Sequence, residues 1–478
     1  MGTETNASDV SLSAETAKAT AAKFSMAAIG FVGTIIFARI LGPERFGAYY
    51  LLFALVKIAD LPIEGWSIAA KKRFSESGTN TSEVVGAQLL FLGSWLGIGA
   101  IGILFISSLL SSYTGIHEAW KLFFAIFAGE AIYVSSERLL QARGLVGKAT
   151  WTDALRSYIT FPLQVLLVLS GWGVAGMAYG LAAASIIVTP LTLYFLSVTP
   201  QVPSRSAVVS QWSYAKYSVL STLFGRVYER FDILLLGYLL GPTAAGWYEV
   251  AYKLVTPGTF IAETASSGLM PRVSHLSSKG ESFVDDVTNV LSFASILAVP
   301  IFCGALVIAE PLIVTIYGSA YSAAAPLLIV IALYHIVMTQ NAVLGQTVFG
   351  LDRPRSLALI AASSLIVNII LGVLLVPIVG PVGAAISSAI AELTTSALLV
   401  WSLSNTLQEF QFLTPELMKQ GVSGGIMIGV LSLTIPMSTG AEGIVPALIA
   451  GGAIYFGVLI YISSEFRTTI RAVLTGVF

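Results

Sequence analysis

Apolar runs of roughly twenty residues, separated by short polar breaks, recur from one end of the chain to the other, and about twenty such residues cross some 30 Å of hydrocarbon as a helix. These runs are apolar on every side. Membrane-barrel strands alternate between lipid and lumen over about ten residues, so strands are excluded as the main element. Composition agrees: 11% of residues are charged and 56% hydrophobic, against about 25% charged in a soluble domain. The expected fold class is therefore an all-α polytopic membrane protein, and fourteen spans are counted from about Gly30 to Phe456. Cys303 is the single cysteine and lies inside an apolar run, which rules out a disulfide framework and reads as a small core residue. The first twenty residues are rich in Thr, Ser and Ala, carry Glu4, Asp9 and Glu15, and hold no apolar core of a cleaved signal; the first span is expected to be retained.

Fourteen crossings place both termini on one side, and the loop cations indicate which. Arg39, Arg45 and Lys121 fall on one side; eighteen Lys and Arg residues, among them Lys71, Lys72, Arg73, Arg138, Arg143 and Arg156, fall on the other. The positive-inside rule puts the termini in the cytoplasm. The glycosylation-like triplets at Asn6 and Asn80 then face the cytoplasm and read as chance matches. A net charge of −1 gives no reason to expect a nucleic-acid partner.

The chain repeats itself. "ILGPERFGAYY" from Ile40 returns as "LLGPTAAGWYE" from Leu239, pairing Gly42 with Gly241, Pro43 with Pro242, Gly47 with Gly246 and Tyr49 with Tyr248 at a shift of 199 residues. The same register pairs Glu64 with Glu263, Ser67 with Ser266 and Arg73 with Arg272. A fainter echo joins "VLLVLSGWGVAG" from Val165 to "VLLVPIVGPVGA" from Val373 with a one-residue gap. Six spans separate the copies, so both run the same way through the membrane, as in transporters built from parallel repeats related by an axis along the membrane normal. The expected organisation is an N-terminal lobe over 1–200, a C-terminal lobe over 201–411, and two extra spans with a tail over 412–478. The Leu-Gly-Pro turn should end the first helix of each lobe at the outer face.

"FARILGPERFGAYYLL" and "ERFDILLLGYLLGPTAAGWYEVAYKL", with "AEPLIVTIYGSAYSAAAPLL" from Ala309 and "VNIILGVLLVPIVGPVGAAISSAIAEL" from Val367, resemble segments of the polysaccharide-exporter branch of the multidrug/oligosaccharidyl-lipid/polysaccharide flippase superfamily. The resemblance runs from about Ala17 to residues 402–404. It implies a two-lobed, fourteen-helix flippase in the inner membrane of a prokaryote. Such a protein moves a lipid-linked oligosaccharide outward by alternating access, beside membrane lipid and glycan-assembly enzymes as candidate partners. It needs no cofactor and is not an enzyme.

Charge inside a membrane is costly, at least about 2.5 kcal/mol at the bilayer centre, so each charged residue there needs a reason. The second span carries Lys57, Asp60 and Glu64 on one stripe, the seventh Arg226 and Arg230, the eighth Glu249, Lys253 and Glu263, and the fourth Glu130, Glu137 and Gln141. Lys57, Arg226, Arg230 and Lys253 are the candidate ligands of a phosphate or pyrophosphate head group. Asp60, Glu64, Glu249 and Glu263 are candidates for binding a coupling proton or sodium ion, or for closing a gate. The other reading makes the same charges neutralising pairs that hold helices together. His335 reads as a core hydrogen-bonder rather than a proton relay. Gly93 and Gly97 look like a small-xxx-small packing stripe, and Pro62, Pro257 and Gly258 are candidate bends.

No P-loop, HExxH or Cys/His cluster is present in the sequence, so neither ATP hydrolysis nor a metal site is expected. Three rivals to a flippase are a cation-coupled drug exporter, whose cavity should be acidic, a polysaccharide polymerase or ligase, which needs a large outer loop, and a non-transporting scaffold.

Overall fold

The computed structural model describes residues 12–76, 78–404, 413–434 and 441–474, and among them every regular element is a helix. The chain divides into two compact units, Met1–Gly246 and Trp247–Phe478. Among the described residues, eight helical stretches are long and apolar enough to cross a membrane. Two of these, Phe24–Ala59 and Val146–Leu196, run through a turn and hold two of the expected spans each.

The first unit contains α1 (Leu12–Ala59), α2 (Leu61–Phe74), α3 (Thr81–Thr114), α4 (Ala119–Ala142), α5 (Val146–Leu167), α6 (Gly173–Leu196) and α7 (Arg205–Leu240), and ends inside α8 (Pro242–Val255). Within α1 the helix breaks at Gly42 (φ 72, ψ 170), followed by Pro43. Gly241 (φ 86, ψ 178) separates α7 from α8 in the same way, with Pro242 opening the next helix. That backbone region is open essentially to glycine alone, and proline suits the first helical position, where no N–H is required. The duplicated turn therefore has one backbone conformation in both copies.

The two copies also pack on each other. A Cβ on Gly47 would land on the Pro242 carbonyl oxygen, and a Cβ on Gly246 would land on that of Pro43. Glycine at both positions is what lets the backbones approach. The sequence triplet at Asn80 turns out to be a helix cap: its side chain accepts from the Ser82 N–H at 3.2 Å and donates to Glu83 at 3.1 Å. Glu83 in turn accepts from the Ser204 N–H at 2.9 Å and from the Ser204 hydroxyl, tying the start of α3 to the start of α7.

The second unit continues with α9 (Phe260–Ser267), α10 (Leu269–Lys279), α11 (Val284–Ala294), α12 (Ala298–Tyr317), α13 (Ala325–Gly350), α14 (Pro354–Val379), α15 (Val382–Leu403), α16 (Pro415–Thr434), α17 (Ala441–Ile462) and α18 (Ser464–Leu474). A short 3₁₀ turn, Thr256–Thr259, interrupts the eighth span at Pro257 and Gly258, and Pro62 sits at the start of α2 beyond the break at Asp60. All three expected bends are thus real helix interruptions. The fainter echo also has a structural basis. A Cβ on Gly176 would strike the backbone of Leu167, and one on Gly383 that of Leu375, so each hairpin between fifth and sixth spans closes over a glycine. Cys303 is buried with Val299, Met427, Leu431 and Tyr455, and a Cβ on Gly424 would meet its sulfur; the core reading of this cysteine holds.

Two expectations need correction. Among the described residues nothing lies within 4 Å of where a Cβ on Gly93 or Gly97 would sit, so neither forms a close helix contact there, whereas Gly99 packs against Phe127. Arg156 is not a loop cation. It lies ten residues into α5, about 15 Å along the helix at 1.5 Å per residue, and it pairs there with Glu130 and Asp153. The compact units meet at 246 while the sequence repeat begins near 201, because α7 packs against α2. The acidic residues Glu4 and Asp9, the Asn6 triplet and the lobe boundary at 411 lie outside the described residues.

Candidate functional site

The charged site of the first unit is built where α1 gives way to α2. Proline at position 62 cannot donate to the preceding turn, and the helix breaks at Asp60. The backbone nevertheless stays close to helical, with the Glu64 N–H on the Asp60 carbonyl at 2.9 Å. Lys57, Asp60 and Glu64 consequently keep the common stripe that helical spacing gives them.

Two carboxylates organise the surrounding cations. Glu130 of α4 accepts from Lys57 Nζ at 2.7 Å, from an Arg156 guanidinium nitrogen and from the Ser185 hydroxyl at 3.3 Å. Arg156 also pairs with Asp153 at 3.0 Å and lies over the Tyr133 ring. Glu64 of α2 is gripped by Arg226 of α7 through two N–H groups, Nε at 3.1 Å and Nη2 at 3.0 Å, the planar fork that arginine supplies and lysine does not. Arg138 of α4 approaches the same carboxylate at 3.6 Å, and Arg226 reaches Glu229 at 2.9 Å.

Exposure separates the two signs. The Glu130 and Glu64 side chains are 4% and 13% exposed, whereas those of Lys57, Arg156, Arg138 and Arg226 are 18–33% exposed. Glu130 and Glu64 lie behind and the cations in front, while two further acids, Asp153 and Glu229, are more exposed than the cations they pair with. Lys57 and Arg230 both lie near the Phe53 ring, at 5.1 and 5.6 Å from its centroid, within cation–π range. Asp60 Oδ1 and Arg230 Nε are buried with no hydrogen-bond partner among the described residues. Such atoms are costly to leave unsatisfied.

In the second unit Lys253 and Glu249 pair one helical turn apart at 3.4 Å, with Glu249 nearly buried. Glu263 is exposed and accepts from the Thr259 hydroxyl at 2.7 Å. His335 is buried, its Nδ1 is 2.9 Å from the Ile331 carbonyl, and its ring meets Tyr252 edge-on; it is the core group expected. Asn341 bonds the Glu392 carboxylate at 2.7 Å, and Gln340 donates to Ser295 at 2.7 Å, so these polar groups join helices within the unit.

Of the residues singled out in sequence, Lys57, Asp60, Glu64, Arg226 and Arg230 converge in one unit, while Glu249, Lys253 and Glu263 belong to the other element of the chain. Glu130 and Arg156 lie outside the site residues that the sequence picks out, although Glu130 joins Lys57, Arg156 and Ser185. The signal for Glu130 was its place on the stripe of α4. For Arg156 it was the three-residue spacing from Asp153, which makes a helical ion pair rather than a loop charge.

The fold defines a class. A solved structure of the lipid II flippase MurJ, inward closed, matches with a TM-score of 0.80 at 15% identity over 95% of this chain and 99% of that one. An inward-facing multidrug resistance MATE family transporter of the MOP superfamily matches at 0.66 and 16% identity, over 86% of this chain and 96% of that one. The chain thus has the helical fold of MOP-superfamily transporters. The family model described as "Polysaccharide biosynthesis protein" matches residues 36–326, and the protein belongs to that family. Two Haloferax volcanii proteins are similar to it along nearly their whole length. The "Probable low-salt glycan biosynthesis flippase Agl15" is 27% identical over 439 residues, 91% of both chains. The "Probable flippase AglR" is 27% identical over 456 residues, 94% of this chain and 95% of that one.

Proposed function

We propose that the protein is a flippase that carries a polyprenyl-phosphate- or pyrophosphate-linked oligosaccharide from the cytoplasmic to the outer leaflet of a prokaryotic plasma membrane, by alternating access, with both termini cytoplasmic. The observation that carries this reading is the layer of cations, Lys57, Arg138, Arg156 and Arg226, lying in front of buried carboxylates. An entering phosphate meets guanidinium and ammonium groups already oriented by Glu64 and Glu130, so little ordering remains to be done on binding. The names of the two Haloferax relatives support a glycan as cargo. Arg230 completes the phosphate ligands of the first unit, and Lys253, in the C-terminal lobe over 201–411, is the candidate phosphate ligand of the second; the spans beyond 412 fall outside the repeat and pack against α12.

Ion coupling rests on Asp60. Asp60 is 4% exposed and its Oδ1 has no hydrogen-bond partner among the described residues, so a proton or sodium ion would relieve an unsatisfied group there. Glu64, Glu249 and Glu263 act as gate residues that change partners as the lobes rock. The likeness to MATE transporters favours a second reading, export of lipophilic cations, which the accessible cations oppose electrostatically.

The test is reconstitution in vesicles with a fluorescent polyprenyl-pyrophosphate-linked glycan, followed by its protection from an added enzyme. Acceleration over empty vesicles, lost in Arg226→Ala, is expected. Ion-driven efflux of a cationic dye with no glycan movement overturns the proposal in favour of the exporter.

A further inference from the structure

A cavity of about 590 Å³ opens in the first unit, and none of Lys57, Arg138, Arg156, Arg226 and Arg230 lines it. Three chain reversals build it. Glu44 and Arg45 come from the turn after Gly42, His117 and Glu118 from the link between α3 and α4, Trp172 from the link between α5 and α6, and Tyr179 from the second turn of α6. By the positive-inside reading this is the outer face. That face has only Arg39, Arg45 and Lys121 as loop cations, and two of the three line this one cavity.

Its backbone is unusual. Glu118 is one of three non-glycine residues in the left-handed region among the described residues, at φ 54, a conformation that clusters at binding sites because surroundings must enforce it. A π-turn, Val168–Trp172, closes through Gly171 at φ 91, and such insertions are common at functional positions. The turn leaves the Trp172 ring 55% exposed and edge-on to Tyr179 at 6.1 Å. Lys121 donates to both Glu118 oxygens at 2.6 Å, and this hydrogen bonding holds the Glu118 carboxyl below the ordinary carboxylate range.

The lining is balanced in charge: Arg45 and Lys121 against Glu44 and Glu118. It offers donors and acceptors side by side next to an exposed aromatic face. A phosphate would call for uncompensated cations, and an apolar ligand for an apolar wall. Sugar hydroxyls, each both donor and acceptor, suit the mixed rim, and the ring C–H face of a pyranose suits an indole. We propose that this cavity is a saccharide-binding site on the outer face that engages the glycan portion of the cargo as it emerges. This inference rests on the flippase reading above, which supplies the glycan. Holding the sugar outside disfavours its return and separates recognition of sugar from recognition of phosphate.

The test uses the full-length protein in lipid nanodiscs and two probes: the water-soluble glycan released by mild acid from the producing cells' lipid-linked pool, and inorganic pyrophosphate. Titration calorimetry should show the glycan binding and Trp172→Ala and Glu118→Gln weakening it at least tenfold. Trp172→Phe, which keeps a ring, should retain most of the affinity, and that variant controls for folding. Glycan binding that is absent, or unchanged in Trp172→Ala, overturns the proposal. So does pyrophosphate displacing the glycan from this cavity. Vesicle flipping is read in parallel. Flipping without glycan binding rejects this site alone, and glycan binding without flipping rejects the transport reading alone.

Discussion

Replacing Glu130 with glutamine removes one charge and almost no volume, and the structure gives its cost. The carboxylate is 4% exposed and takes Lys57 at 2.7 Å, Arg156, and Ser185 at 3.3 Å. Arg156 retains Asp153 at 3.0 Å as a second acid, but Lys57 has no other ion pair among the described residues. Breaking a buried pair by removing one partner costs about 3–5 kcal/mol, since a buried charge is left uncompensated. Glu130→Gln should therefore lower the unfolding temperature of the detergent-solubilised protein by several degrees. Lys57→Met in the same background should recover a large part of the loss, because the orphaned cation is gone; coupling between contacting groups commonly reaches 0.5–3 kcal/mol. The assay is thermal unfolding of all four members of the cycle, followed by size-exclusion recovery. A Glu130→Gln protein as stable as the parent, or additive effects of the two changes, would show that this carboxylate does not hold the cation layer in place.

Other consequences are open to simpler measurements. Arg226→Lys keeps the charge but loses the two-pronged grip on Glu64, so it should flip cargo at least tenfold slower than the parent, and parental rates would remove the fork from the site. Asp60→Asn should abolish any acceleration by an imposed pH or sodium gradient while leaving gradient-free flipping measurable in vesicles. Gly47→Ala and Gly246→Ala each push a methyl into the facing proline carbonyl and should each cost about 1–3 kcal/mol by overpacking, read as lowered unfolding temperature. Gly93→Ala places its methyl in open space within α3 and should be neutral or stabilising by up to about 1 kcal/mol.

What the sequence determined is everything governed by local chemistry. The length of each apolar run set the crossings, and a glycine followed by proline marked each helix end because few other residues accept φ near 72 or 86 with ψ near 180. The repeat followed, and with it the expectation that Gly42 and Gly241 would adopt one backbone. Helical spacing also put Lys57, Asp60 and Glu64 on a common stripe before any partner was known. Tertiary structure decided who meets whom. Glu130 joins Lys57 and Arg156 from helices 73 and 26 residues away, and Glu64 finds Arg226 at a separation of 162. No periodicity encodes such meetings, because they depend on how helices are packed side by side. The same lack of packing information made Arg156 look like a loop charge and Gly93 and Gly97 like a helix contact. An α-helix closes its own hydrogen bonds and so can be read from its own residues, whereas an ion pair between helices exists only once both are in place.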